Sequence, residues 1–266
     1  MPIDYQETSK DLKTRIDIHQ TYGGRDIDAW MLATIDPQSN SRILDVACGS
    51  GKQCKAFHSH LNGHLEMTGV DVSEELLADA RKLNQSLGNP FVIQDMDFDK
   101  AFPFPEDSFD LLTCCFAIYY ASDIPFTISE MHRVLKPGGR LFTTGPMPEN
   151  KQLFYDVIKE ATGKPIPPMP GSSRYASEIL DAIKGKFSET QLHIFENPLE
   201  FDSVNPFLSY TRASLSEDRK LWSGLFQGED DFEKVMEQIT AVATRRYEDD
   251  GTLVMTKVVG GILATK

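Results

Sequence analysis

Residues 43–51 read ILDVACGSG: an apolar run, an acid at Asp45, then Gly49 and Gly51 with one serine between them. A strand made for a core has no need to stop in this way unless something must come close to its backbone. Glycine permits a sharp turn and leaves space above it. A helix that follows then offers the free N–H groups of its first turn. The stretch therefore predicts a strand over 42–48, a tight turn, and a helix over 52–61.

Working outward, strand and helix patterns alternate. EMTGVDV at 66–72 reads as a second strand, after which Ser73 can cap a helix with Glu74 and Glu75 in its first turn. Leu76, Leu77, Ala80, Leu83 and Leu87 then recur at helical spacing, and Gly88 supplies the stop. FVIQ at 91–94 and FDLLTCCF at 109–116 are the third and fourth strands, a helix covers about 124–135, and RLFTTG at 140–145 follows the turn KPGG as the fifth. Short apolar strands alternating with helices imply a doubly wound α/β fold, a Rossmann-like parallel sheet with helices on both faces. After Pro146 the texture changes. KPIPPMPGSS at 164–173 reads as an irregular surface connection, QLHIFENPLEF at 191–201 and TLVMTKVVGGILAT at 252–265 as late strands, and VNPFLSYTRASL at 204–215 as helical. Residues 1–40 read as an N-terminal helical cap, and about 202–250 as a helical lid inserted in the main domain, 41–266.

In a doubly wound sheet, ligands bind at the carboxyl ends of the strands where the strand order reverses. The dinucleotide fingerprint G-x-G-x-x-G fails here: counting from Gly49 and Gly51 its third glycine falls on Cys54, and counting from Ala47 it falls on Lys52. Asp45 would moreover repel a pyrophosphate and suit a cationic ligand. Asp71 ends the second strand 20 positions after Gly51, the spacing at which an acid accepts both ribose hydroxyls. A nicotinamide-dependent oxidoreductase remains the alternative of another chemical class.

These motifs resemble those of the class I S-adenosylmethionine-dependent methyltransferases. ILDVACGSG is similar to their first motif, with Ala47 where many members have glycine, and GVDVSEELLADAR to their second-strand motif. QDMDF, FPFPEDSFDLLTCCFAIYY and SEMHRVLKPGGRLFTT resemble the later motifs in order and spacing, so that the likeness covers about residues 40–146. The resemblance implies a seven-stranded sheet with an antiparallel last strand, S-adenosyl-L-methionine as cofactor and S-adenosyl-L-homocysteine as product. By position, Asp45 would sit near the methionine amino group, and the backbones of Ala47, Gly49 and Gly51 would line the cofactor. Asp71 would hold the ribose, with Val72 beside it. Asp95 and Met96 would bind adenine, or Asp97 in place of Asp95, because a short insertion precedes PFPEDSFD. Phe116 and Ala117 would contact the methionine side.

Acids outnumber bases by 40 to 27, for a net charge of −13, which disfavours nucleic acid and anionic membrane as partners. The partner expected is a small-molecule methyl acceptor, bound by a monomer or homodimer. Cys48, Cys54, Cys114 and Cys115 show no disulfide or zinc spacing and read as reduced thiols of a cytoplasmic protein. His58, His60 and His64 read as a solvated helix end rather than a metal site, and His132 as a surface residue. Tyr119 and Tyr120 follow the fourth strand and read equally as substrate contacts or as core packing. Tyr22 and Arg25 read equally as a closure over the cofactor hinged at Gly23–Gly24, with Arg25 pairing its carboxylate, or as a plain interhelical turn. His19, Tyr119, Tyr120 and Glu149 are the available bases, required only if the acceptor starts protonated. A binding module that holds the cofactor without methyl transfer is the second alternative.

Overall fold

The computed structural model describes residues 9–164, 166–167, 170–217, 223–226 and 231–266. Its elements run α1 (Ser9–Tyr22), α2 (Ile27–Ile35), β1 (Ser41–Val46), α3 (Lys52–His60), β2 (Leu65–Asp71), α4 (Glu74–Ser86), β3 (Phe91–Asp95), β4 (Phe109–Cys115), α5 (Ile124–Val134) and β5 (Leu135–Pro146). There follow α6 (Gln152–Thr162), α7 (Pro170–Arg174), a π turn (Tyr175–Ile179), α8 (Leu180–Lys186), β6 (Glu189–Phe201), α9 (Val204–Glu217), α10 (Asp231–Asp250) and β7 (Leu253–Thr265).

The seven strands form one sheet in the order β3-β2-β1-β4-β5-β7-β6. β1 to β5 are parallel, while β7 runs antiparallel to both β5 and β6. The order reverses beside β1, so the ligand edge lies where β1, β2 and β4 end. Alternate residues of β1 serve opposite faces. Leu44 and Val46 pack under α5 and α8, whereas Ile43 packs under α2, α3 and α4 with Met67, Phe91 and Phe142.

A third apolar cluster lies beyond the sheet. β6 and β7 pair from Glu189↔Thr265 to Phe201↔Leu253, whereas β5 leaves β7 at Pro146↔Val259. Residues 253–258 and their partners on β6 therefore project past the carboxyl edge of the sheet. Leu199, Phe201, Leu253 and Met255 of this projection bury themselves with Phe154 and Val157 of α6, Phe207 and Tyr210 of α9, Ile239 of α10 and Ile18 of α1. An unsupported two-stranded ribbon is marginal in water, and four helices supply the missing cover.

Two sequence expectations need correction. Residues 164–173 are not irregular throughout, because α7 starts at Pro170. Proline is tolerated in a first helical turn, where its missing N–H has no intrahelical partner anyway. Arg174, at the end of this helix, donates to the carbonyls of Tyr119 and Ala121 and fixes it against the end of β4. KPGG, expected as a turn before the fifth strand, lies within β5: Leu135 already pairs with Phe109, and Gly138 (φ +75°) takes up the register shift before Arg140 pairs with Leu111.

Candidate active site

The turn after β1 alternates through the left-handed region at Ala47 (φ +57°), Gly49 (+53°) and Gly51 (+82°). It is closed by bonds from the Cys48 N–H to the Val70 carbonyl and from the Gly51 N–H to the Cys48 carbonyl. The two glycines face different surroundings. Gly51 faces α4, where a Cβ would lie 3.4 Å from Ala80 and Leu83; above Gly49 only the Leu76 side chain comes within 4.0 Å. Gly51 serves the packing, and Gly49 leaves the approach open.

Asp71 fastens this turn from the next strand. One carboxylate oxygen accepts the Gly49 N–H at 2.8 Å and the other the Ser73 N–H at 2.9 Å. Each oxygen keeps acceptor capacity toward the cleft. Val72 (67% exposed) and Leu76 (42%) stand beside it as an apolar platform in water. Asp95 pairs in register with Asp71 on β3 and is exposed, whereas Asp97 accepts the Asp99 N–H and pairs with Lys100. Met96 is buried, and its N–H donates to the Asp71 carbonyl. Asp99 in turn accepts from the N–H and hydroxyl of Ser122, holding the loop after β3.

Asp45 is sealed at 1% exposure, accepting from the Thr113 hydroxyl at 2.6 Å and contacting Cys54 Sγ at 3.7 Å. Burial pushes its carboxyl up to about 7, against the opposing effect of the Thr113 and Cys54 bonds, and the Asp71 charge adds to the rise. An acid so placed gains from a nearby cation.

Two hollows lie at this edge of the molecule. One of about 670 Å³ runs along α1 and the start of α2 to Lys52 and is lined by Arg25, Asp26, Asp28 and Phe195. Lys52 pairs with Asp28, so α2 is tied to the helix that the glycine turn opens. The other, a cavity of about 350 Å³, lies beyond the ends of β4 and β5 between α1 and α9 and is lined by Phe116, Tyr119, Pro146, Lys151 and Tyr210. Ile16, His19 and Lys257 line both and mark their junction. Phe116 holds a left-handed backbone (φ +57°), strain of the kind that collects at functional sites, and its ring lies 5.5 Å from the Lys257 ammonium. Burial, then Lys257, Lys151 and Arg15, lowers His19 to about 3, and its buried Nδ1 has no hydrogen-bond partner. Burial also lifts the Tyr119 phenol well above its usual range.

Other expected residues lie elsewhere. Tyr22 packs its ring on Phe201, on the side of α1 away from His19, and the structure does not bring it to the glycine turn. Gly23 is no hinge: it bridges to Leu199, and a Cβ there would fall 2.4 Å from Asn197 Nδ2. Arg25 lines the larger hollow but donates to the Glu196 carbonyl and lies over the Phe195 ring. Tyr120 packs against Tyr119 at a tilt of 54° and is absent from the cavity lining. His58 contacts Phe91 edge-on and His132 contacts Phe187; among the described residues no group of three or more His, Cys, Asp or Glu is placed to hold a metal. No described helix is long and apolar enough to cross a membrane. Sequence reasoning missed Arg15, Lys151, Tyr210 and Lys257. Lys257 alone left a signal, as a single charge inside the apolar run TLVMTKVVGG.

Residues 44–143 match the methyltransferase domain family. The chain carries a class I S-adenosylmethionine-dependent methyltransferase domain. It is 34% identical over 110 residues to the uncharacterized methyltransferase YcgJ of Bacillus subtilis, covering 41% of this chain and 42% of that protein. It is 29% identical over 198 residues to the ubiquinone/menaquinone biosynthesis C-methyltransferase UbiE of Pectobacterium atrosepticum, covering 67% and 74%. The crystal structure of YcgJ superposes with a TM-score of 0.57 at 19% identity, over 90% of this chain and 97% of that one, so the methyltransferase shares its fold.

Proposed function

We propose that this methyltransferase moves a methyl group from S-adenosylmethionine to an O, N or C atom of a small molecule held in the cavity beyond β4 and β5. The observation that carries the reading is the junction at His19 and Lys257, where the cleft beside the glycine turn opens into a second, aromatic-walled cavity. A module that only held the cofactor would have no use for that second chamber.

The residues present fit the cofactor. Gly49 gives the open approach, Asp71 the carboxylate for two ribose hydroxyls, Val72 and Leu76 an apolar rest for adenine, and Asp95 an exposed acceptor for its amine. Asp97, already paired with Lys100, is the poorer candidate for that bond. Asp45 would lie on the side of the methionine ammonium, and Arg25 near its carboxylate. When bound, the cofactor supplies a methyl group already activated by a sulfonium, so this chain's work is mostly placement. Phe116 and Tyr119 would exclude water and hold the acceptor, while His19, kept neutral, accepts a hydrogen bond from it.

Calorimetry tests the reading. S-adenosylhomocysteine should bind with a Kd of about 1–10 μM, near −8 kcal/mol, while NAD gives no heat. Tight NAD binding without a response to either sulfur nucleoside would overturn it.

A further inference from the structure

β6 forms one edge of the sheet, and that edge is closed along only half of its length. A free edge presents a row of N–H and C=O groups, which natural proteins cover, charge or interrupt with proline. The phase of β6 is fixed by β7. Val258, opposite Glu196, donates its N–H to Asn150 and accepts from the Met147 N–H, so Glu196 and the residues in step with it turn their main-chain groups outward. Beyond Phe195 this outward side is closed. Arg25 donates to the Glu196 carbonyl, Pro198 brings no N–H, and Gly23 bridges to Leu199.

The other half, residues 189–195, is open. Among the described residues nothing bonds to the outward main-chain groups of Thr190, Leu192 and Ile194. From Thr190 to Phe195 the chain reads TQLHIF, with no lysine, proline or acid to discourage pairing. Leu192 and Ile194 are 40% and 43% exposed and, two residues apart, stand on one face of the strand. An apolar, β-prone strand with its bonding side bare is a template for another strand.

We propose that this half-edge pairs antiparallel with the same half-edge of a second copy of the chain, joining two sheets across a two-fold axis at Leu192. The inference goes beyond the methyltransferase reading and does not rest on it. Leu192 is the midpoint of 189–195. The axis therefore sets Thr190 against Ile194 of the second copy and Leu192 against its own counterpart, in the phase that exchanges main-chain bonds. The exposed apolar side chains of both copies then form one strip. The closed half fits this register, since the strand of the second copy starts at Glu189, opposite Phe195, just short of the segment that covers Glu196.

The charges at the two ends select the occupant. Lys184 and Lys186 end α8 on one side of the open half and Glu196 stands on the other, all three exposed. Antiparallel pairing lays Glu196 opposite Ser188 of the second copy, two residues from Lys186 of that copy. On the other face of the sheet Glu189 comes opposite Phe195 of the second copy, whose ring lies under Arg25. A strand of an unrelated protein could cover the apolar strip but would not meet both sets of charges, and these favour a second copy in spite of the net charge of −13. β7, which β6 holds along its full length, carries Lys257, so the pairing would also steady a wall shared by the two hollows.

Sedimentation equilibrium on the full chain tests the pairing. The parent protein should be a dimer at micromolar concentration. Leu192→Lys sets two like charges against each other on the axis and should weaken association about tenfold or more. Lys186→Glu should weaken it a few-fold, and adding Glu196→Lys should recover most of that loss, which a defect within one chain would not do. Location is read by cross-linking. Leu192→Cys treated with a short bismaleimide should give a covalent dimer, whereas Val92→Cys, exposed on β3 at the opposite edge, should give no more than the parent protein does. If Leu192→Lys does not fold, the cross-link at position 192 decides alone. A parent chain that stays monomeric, a dimer indifferent to Leu192→Lys, or cross-linking through Val92→Cys alone would overturn the inference.

Discussion

Asp45, Asp71 and Asp95 stand at the ends of adjacent parallel strands, within 51 residues of one another. Arg15, Lys151 and Lys257 line the cavity beyond β4 and β5 and are carried by α1, the cap of α6 and the projecting ribbon. The first set is positioned by main-chain bonds inside the sheet. The second depends on how α1, α6 and α9 dock over the β6–β7 projection. The contrast separates what the sheet fixes from what the helical cover selects.

The sharpest way to break the comparison is Asp71→Ala. S-adenosylhomocysteine affinity should fall about 100-fold, two charge-assisted bonds' worth or roughly 2.7 kcal/mol. The melting temperature should also drop by roughly 2–6 °C, because the Gly49 and Ser73 N–H groups lose their acceptor. Unchanged affinity with the same loss of stability would make Asp71 a fastener of the turn and nothing more.

The two glycines sharpen it further. Both Gly49→Ala and Gly51→Ala strain a left-handed backbone by about 1–2 kcal/mol. Only Gly49→Ala should also cost about tenfold in S-adenosylhomocysteine affinity, since the space above Gly49 is open whereas Gly51 faces α4. Equal affinity losses in the two variants would contradict that division.

Titration separates the sides by sign. Asp45, raised to about 7, adds stability that is complete below about pH 4 and is lost as pH rises through 7. A methionine ammonium nearby would favour the charged form, so binding at pH 7 should release about half a proton, measured by calorimetry in buffers of different ionisation enthalpy. Asp45→Asn, which keeps an acceptor for Thr113, should abolish the release. No release in the parent protein would leave Asp45 a purely internal acid. Lys257 behaves oppositely. Lowered to about 8, it stays charged below that pH and is neutral above it, while the unfolded chain keeps the proton up to about 10.5, so stability rises with pH between the two. Chemical denaturation from pH 8 to 10 should show that rise, and a flat profile would mean that Lys257 keeps its ordinary titration.

The sheet order and the glycine turn were legible because they are local. ILDVACGSG, Asp71 and the alternation of apolar strands with helices carry their information within short spans, and the structure returns seven strands in the doubly wound order. The cavity beyond β4 and β5 was not legible, since its lining is drawn from residues 15 to 259. Tyr22 and Arg25 sit close together in sequence, but α1 turns Tyr22 toward Phe201, and the partner of Arg25 is β6, which no local pattern reveals. Gly23 looked like freedom and is instead close approach to Asn197. Nothing in the sequence marks Lys151, whose left-handed backbone and place at the start of α6 exist only in the fold.

The smallest expected effect concerns Ala47, which stands at φ +57° in the turn where many similar methyltransferases carry glycine. Ala47→Gly would relieve about 1–2 kcal/mol of left-handed strain in the folded state. It would also loosen the unfolded chain, which gives back about 0.4–1 kcal/mol. The net gain is therefore about 0–1.5 kcal/mol, or roughly 0–6 °C in melting temperature by the per-kcal scale of a chain this size. The Ala47 backbone is already in the conformation that the turn requires, so S-adenosylhomocysteine affinity should change less than twofold. A melting temperature that fell on Ala47→Gly would show that the methyl group packs against the neighbouring core, where Ala47 is half-buried, by more than its backbone strain. An affinity that rose tenfold would show instead that the strain is held in the ligand-free turn and released on binding.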